Sequence, residues 1–125
     1  MTKYILDSSF LYALFVPDDI LHRKAHEIYA QLLEEELPLH VPFNALVELY
    51  ASGEDYPFSK FVDEIAEELE FSEAKDIAFI KTLPSRTRRS LKANDCMILA
   101  IAKRKKSQLV TFDRKLKNAA KKYLS

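Results

Sequence analysis

Four carboxylates stand out in this sequence by where they fall: Asp7, Glu48, Asp95 and Asp113. Asp7 directly follows Lys3-Tyr4-Ile5-Leu6, and Asp113 directly follows Leu109-Val110-Thr111-Phe112, both short β-prone runs. Asp95 stands at the start of a helical pattern, and Glu48 lies inside the apolar run Ala45 to Tyr50. Taken singly, each has an ordinary explanation. An Asp at a helix start caps it, contributing ~0.5–2 kcal/mol, and that covers Asp7, Asp95 and Asp113. Glu48 shares a helix face with Asn44 and Ser52 and can simply mark a polar stripe. Taken together the chemistry changes. Carboxylates held within a few ångströms repel and partly protonate unless a cation neutralises them. Oxygen-only donors favour hard ions, Mg²⁺ or Mn²⁺.

Other chemistries find less support. His22 and His26 have i,i+4 spacing but no third ligand nearby, so they read as a surface helix pair; no histidine or cysteine is placed to build a zinc site. Cys96, the single cysteine, is expected to pack in the core, and it excludes a disulfide-stapled module. One glycine cannot make a phosphate-cradling loop. A haloacid-dehalogenase-like phosphatase needs a second Asp two residues after the first, where this chain has Ser9. A response-regulator receiver needs an acidic pair and a mid-chain Asp at spacings absent here.

The elements that must position the four acids follow from pattern. A strand over Lys3–Leu6 enters a turn at Asp7-Ser8-Ser9. A short buried helix, Phe10 to Phe15, stops at Pro17-Asp18-Asp19. Leu21, Ala25, Ile28, Tyr29 and Leu32 lie on one face of a second helix, which the acids Glu34, Glu35 and Glu36 should fray. Leu39-His40-Val41 reads as a strand and Pro42 as a helix start. A helix from about Phe43 to Ser52 carries Glu48 and stops at Gly53. Phe58, Phe61, Val62, Ile65 and Leu69 make the cleanest amphipathic helix, with a brief strand around Leu69-Glu70-Phe71. Ala74, Ile77, Ala78 and Lys81 suggest a helix ended before Pro84. Ser85 to Lys92 reads as a basic, structureless stretch. Asn94 to about Lys105 is helical, Leu109–Phe112 is a strand, and Asp113 opens a last helix with Leu116, Ala120, Tyr123 and Leu124 inward. Strands alternating with helices predict an α/β fold with a mainly parallel sheet. Such a sheet brings Asp7 and Asp113 to one edge although they are 106 positions apart.

Net charge is zero by cancellation. Residues 1–53 hold 3 basic and 8 acidic residues, 54–80 hold 2 and 9, and 81–125 hold 14 and 2. The basic last third suggests an anionic partner, and its only two acids are Asp95 and Asp113. The length of 125 residues fits one domain that buries roughly two-thirds of its unfolded surface. No apolar run approaches ~18 residues and no signal-peptide pattern opens the chain, which predicts a reducing, cytoplasmic setting.

Four segments carry a family resemblance: Ile5-Leu6-Asp7-Ser8-Ser9, Asn44-Ala45-Leu46-Val47-Glu48, the run from Asn94-Asp95-Cys96 to Ala102, and Leu109-Val110-Thr111-Phe112-Asp113. In this order and spacing the chain resembles a PIN-domain nuclease, most like the VapC-type toxin ribonucleases. The resemblance covers essentially the whole chain and implies one PIN-like nuclease domain over residues 1–125. The implied fold is a three-layer one, with a short, mainly parallel sheet of 4–5 strands flanked by helices. It implies a metal-dependent endoribonuclease that hydrolyses RNA phosphodiester bonds with one or two Mg²⁺ or Mn²⁺ ions. Asp7, Glu48, Asp95 and Asp113 correspond to the family's metal-binding catalytic quartet, and Ser8, Ser9 and Thr111 to its supporting hydroxyls. Arg86, Arg88, Arg89 and Lys92, just before Asp95, are the expected nucleic-acid contacts; Lys103 to Lys106 read as a solvated helix end. The toxin branch further implies a small antitoxin partner and a homodimer, with the apolar helices from Phe10 to Ile28 as contact surfaces. The alternatives are a stand-alone RNA-processing PIN nuclease and a non-catalytic RNA-binding PIN module. Two departures stand out. Lys105-Lys106-Ser107-Gln108 replaces a loop where relatives commonly have glycine, which should alter loop geometry. No final short strand follows the last helix, which bears on the extent of the sheet.

Overall fold

A computed structural model describes residues 3–124. The elements follow in the order β1 (Tyr4–Leu6), α1 (Ser8–Phe15), α2 (His22–Glu34), β2 (Leu39–Pro42), α3 (Phe43–Ala51), α4 (Phe58–Ile65), β3 (Glu68–Glu70), α5 (Asp76–Thr82), α6 (Ser85–Ser90), α7 (Ala93–Arg104), β4 (Gln108–Val110) and α8 (Arg114–Tyr123). The four strands form one sheet in the order β3-β2-β1-β4, parallel at every pairing. β1 lies inside the sheet, with Ile5 opposite His40 on one side and Leu109 on the other. Its three residues are buried, as expected of a parallel strand covered on both faces. Side chains alternate across it. Tyr4 and Leu6 enter one core with Phe10, Leu11, Leu14, Ala25, Val41 and Phe58. Ile5 enters the other with Ile98, Leu99, Ile101 and Leu116. The three-layer architecture and the parallel sheet therefore follow as expected, with four strands among the described residues.

The chain builds β1, β2 and β3 outward in one direction, then places β4 on the opposite side of β1. That reversal makes a switch point between β1 and β4, and parallel sheets open a crevice beyond the strand C-termini there. Asp7 follows β1 and Thr111–Asp113 follow β4, so both reach this crevice.

Several expectations need correction. Ser85 to Lys92 is not structureless: α6 occupies Ser85–Ser90. No apolar periodicity betrays it, because its anchors are the flanking buried leucines Leu83 and Leu91, with the Leu91 N–H closing on the Thr87 carbonyl at 3.0 Å. Helix α4 ends at Ile65, and Leu69 belongs to β3 instead, where the Glu67 N–H has already begun pairing with the Leu39 carbonyl at 2.8 Å. Leu21 precedes α2 and is exposed, so it does not join that helix's inward face. The apolar residues of α1 are spent in this chain's own core: Phe10, Leu11 and Leu14 are buried, and Ile20, 95% exposed, is the outstanding apolar surface residue of that region. His22 and His26 are not merely solvated. Their ring nitrogens reach the Ala13 and Leu14 carbonyls at 2.8 and 2.9 Å, closing the C-terminal end of α1.

The loop without glycine keeps a glycine-type turn. At the end of α7 the Ser107 N–H donates to the Ala102 carbonyl (3.0 Å) and the Lys106 N–H to the Lys103 carbonyl (3.2 Å), the paired bonds of a Schellman cap. Lys106 supplies the left-handed residue, with φ of 52°. A β-carbon there is strained by ~1–2 kcal/mol, partly offset because glycine costs more to order. Lys106→Gly is accordingly expected to stabilise the protein by about 0.5 kcal/mol or more, read as a rise of a few degrees in thermal melting.

Candidate active site

Asp7 is the most enclosed of the four acids, at 2% exposure. Its Oδ1 accepts from the Phe10 N–H (3.0 Å) and the Ser9 hydroxyl (2.8 Å). Its Oδ2 accepts from the Thr111 hydroxyl. The first bond is the N-cap of α1; the last ties that cap to the segment following β4. The Ser9 oxygen accepts from the Phe112 N–H, and the Thr111 oxygen from the Asp113 N–H, both at 3.0 Å. Asp113 in turn caps α8 through the Leu116 N–H at 3.0 Å. The crevice is thus bordered by two capped helix starts joined by a hydroxyl bridge.

Glu48 projects from α3 into the same region. Its Oε1 accepts from the Ser8 hydroxyl at 2.5 Å and its Oε2 from the Asn94 side-chain amide at 3.0 Å. Asn44, one turn before Glu48, donates its own amide to the Asn94 carbonyl at 3.2 Å. Asn44 and Asn94 therefore clamp α3 to the start of α7, the helix that carries Asp95. Sequence reasoning gave neither asparagine this part. The available signal was position, since Asn94 adjoins Asp95 and Asn44 lies i−4 from Glu48.

Capping does not account for Asp95. The N-cap of α7 is Lys92, without a side-chain cap bond, and Asp95 is the third helical residue. Desolvation pushes its carboxyl up to about 6, and the Asp113 and Glu48 carboxylates add to the rise, with Lys92 opposing it. Asp7 is likewise pushed up to about 6, first by burial; its hydroxyl and amide donors counter this, and the Asp95 charge adds to it. The Asp95 charge thus reaches Asp7, and those of Asp113 and Glu48 reach Asp95, although among the described residues no three of the four bring ligand oxygens within 4.8 Å of one another. The hydroxyls expected to support them divide between two acids: Ser9 and Thr111 hold Asp7, and Ser8 holds Glu48.

The basic residues expected at the site separate. Lys92 and Arg88 stand close enough to act on Asp95 and Cys96 respectively. Arg86 lines a groove between α6 and α8. Arg89 is exposed and makes no ion pair among the described residues. Cys96 is buried, and burial pushes its thiol up, as befits a core residue. The Lys103–Lys106 group is only partly solvated. Arg104 binds both Asp76 oxygens (2.9 and 3.2 Å) and the Phe71 carbonyl (2.9 Å). Burial raises the Asp76 carboxyl, but these bonds outweigh it and hold the group low.

Strand register creates one further grouping that residue spacing hides. His40 and Glu68 are opposed on β2 and β3, and one ligand atom from each of His40, Glu68 and Glu70 falls within 4.8 Å of the others. His40 Nδ1 lies 2.6 Å from one Glu70 oxygen, and Lys105 Nζ is 3.4 Å from the other. Glu70 is thereby already paired on both sides, an arrangement that joins β2, β3 and the end of α7.

Residues 4–122 match the PIN domain family, and the chain belongs to it. Ten solved chains share the fold. Among them, the crystal structure of Mycobacterium tuberculosis VapC20, a sarcin–ricin loop cleaving toxin, superposes with a TM-score of 0.72 at 18% identity, over 94% of this chain and 95% of that one. No curated protein sequence matches the chain. Among the described residues no helix is long and apolar enough to cross a membrane.

The strained acids give a test of sign. A carboxyl raised from 3.8 to about 6 in the fold binds its proton more tightly than the unfolded chain does. Its contribution favours folding below the unfolded pKa and is lost as pH rises through the folded one. In chelator, Asp95→Asn should therefore stabilise the protein at pH 7–8, by about 1–2 kcal/mol once solvent screening is allowed for. The advantage should vanish below about pH 4, as followed by thermal melting across pH.

Proposed function

We propose that the protein is a divalent-metal-dependent endoribonuclease whose catalytic and metal-binding residues are Asp7, Glu48, Asp95 and Asp113. The observation that carries this reading is the pair of acids at the switch point, Asp7 and Asp95, both pushed up first by burial, with the Asp95 charge adding to the rise at Asp7 and the Asp113 and Glu48 charges adding to that at Asp95. An assembly of acids that disfavours its own charge fits a cation. The donors are oxygens throughout, so Mg²⁺ or Mn²⁺ suits the group better than a thiolate- or imidazole-seeking ion. Such an ion, one or two in number, supplies Lewis acidity toward a phosphodiester and lowers the pKa of bound water.

The chain's own residues do the rest. Ser9 and Thr111 donate to Asp7 and so keep its two oxygens in one orientation. Ser8 and Asn94 do the same for Glu48 from opposite sides. Lys92 provides positive charge beside Asp95, and Arg88 beside Cys96, where a substrate phosphate would approach. No side chain is required as a covalent nucleophile. The proposed substrate is RNA, in keeping with the PIN family and with VapC20, a sarcin–ricin loop cleaving toxin of the same fold; a toxin role with a small antitoxin partner and a cytoplasmic setting belong to the same proposal. A homodimer is part of this reading, and its contact must draw on apolar surface other than the buried face of α1. The exposed α3 residues Phe43, Val47 and Tyr50, with Phe71 stacked on Phe43 at 5.2 Å, offer such a surface.

Incubation of purified protein with structured RNA and Mg²⁺ or Mn²⁺ should yield cleavage that EDTA abolishes. Asp7→Asn should lower the rate beyond the ~10–100-fold typical of outer-shell substitutions. Equal cleavage by wild type and Asp7→Asn would remove the site assignment. Asn94→Ala should reduce the rate by about 10-fold while leaving a metal-induced rise in melting temperature measurable.

A further inference from the structure

A polynucleotide that places one phosphodiester at the acidic edge must continue across the protein on either side of it. The cavity beside Glu48 is lined by Ser8, Ser9, Tyr12, Ser52 and Glu54 and offers carboxylates but no cation. The chain carries an excess of seven acids over residues 54–80, so a polyanion is repelled in that direction.

The groove between α6 and α8 has the opposite character. It encloses about 290 Å³ and is lined by Arg86, Lys115 and Lys122, with Thr87, Ser90 and Asn118 between them. Leu91 and Ala119 are its buried floor. Neither α6 nor α8 contains an acidic residue. None of the three cations takes part in an ion pair among the described residues, whereas Arg104 and Lys105 are both committed to acids. Three charges are thus left beside one another with no protein counter-charge.

The groove also points at the site. α8 leaves from Asp113, with Lys115 two residues on; α6 runs toward Lys92 and Asp95. The Thr87 and Tyr123 hydroxyls meet at 3.4 Å farther along the groove. Lys115 and Lys122 lie seven residues apart on one helix, about 10 Å along its axis. That length spans roughly three nucleotides of a stacked strand at ~3.4 Å each.

We propose that the α6–α8 groove is the path by which single-stranded RNA leaves the acidic edge, with Arg86, Lys115 and Lys122 contacting its phosphates. The proposal rests on the ribonuclease reading and adds α8, which the basic residues noted in the sequence did not include. The hydroxyls and the Asn118 amide suit the sugar-phosphate chain, and the half-buried Tyr123 also lines the groove, with Lys122 Nζ 5.5 Å from its ring centroid. Since the whole chain is neutral, salt sensitivity of RNA binding arises from this local track rather than from overall attraction.

The test is anisotropy with a fluorescein-labelled 12-nucleotide single-stranded RNA and the full chain in EDTA, across a salt series. The triple variant Arg86→Gln/Lys115→Gln/Lys122→Gln should bind at least about tenfold more weakly. Its log–log salt slope should be shallower by about 2, since each phosphate left without its cation removes ~0.7 from the slope. Lys24→Gln/Lys60→Gln, on α2 and α4, should match wild type. With Mg²⁺ or Mn²⁺ added, the triple variant should show a raised KM and an unchanged kcat. Wild-type affinity and slope in a triple variant that melts like wild type would overturn the groove assignment, and so would competition by a polyglutamate peptide as effective as by unlabelled RNA. Groove-dependent binding with no cleavage under any metal would instead defeat the ribonuclease reading and leave the groove standing.

Discussion

Asp7 belongs to the fold and to the site at once, and the rest of the arrangement depends on it. One carboxylate oxygen caps α1; the other takes the hydroxyl of Thr111, beyond β4. Through Thr111 and the Asp113 N–H, the same network reaches the start of α8. The strands β1 and β4 meet at the point where the sheet reverses its order, so this network closes the crevice that the topology opens. Burying a carboxylate there is costly, and three directed donors keep it in place without removing the cost: Asp7 remains pushed up to about 6. Structural capping alone does not call for a second, third and fourth acid nearby. The Asp95 charge adds to the burial cost at Asp7, and Asp113 and Glu48 add to that at Asp95, a repulsion that a cation would relieve.

The division of charge along the chain has two consequences in three dimensions. Part of the basic last third is used to hold the acidic middle in place: Arg104 grips Asp76 and the Phe71 carbonyl, and Lys105 faces Glu70, which also binds His40. These contacts attach β3 and α5 to α7. The basic residues of α6 and α8 take part in no ion pair among the described residues. Neutrality overall therefore coexists with a directional field at the site, which sequence totals conceal.

How much of this is legible in the sequence depends on whether the signal is local. The strands around Ile5, Val41 and Leu109 and the helix bearing Cys96 to Ala102 are readable because apolar residues repeat at the period of the element that buries them. The family's acidic motifs sit at strand ends and helix starts, contexts that turn chemistry marks. Helix α6 escapes a reading by pattern because its burial lies in Leu83 and Leu91 outside it, leaving a six-residue polar interior with no period. Leu69 is drawn into a helix on paper because its spacing from Ile65 continues the 3.6-residue face, while pairing of Glu67 with Leu39 turns the chain into a strand. The His40–Glu70 contact comes from parallel register, which no spacing rule reports.

Sequence by itself determined most of the element types, the alternation of strands and helices, and the concentration of positive charge in the last third. These are properties of residue type and short-range period. The tertiary structure decided which hydroxyl serves which acid, that Asn44 and Asn94 join α3 to α7, that Asp95 is not a cap, and which basic residues stand free. All of those depend on the strand order β3-β2-β1-β4, since only a reversal at β1 brings residues 7 and 111 into hydrogen-bond contact across 104 positions of chain.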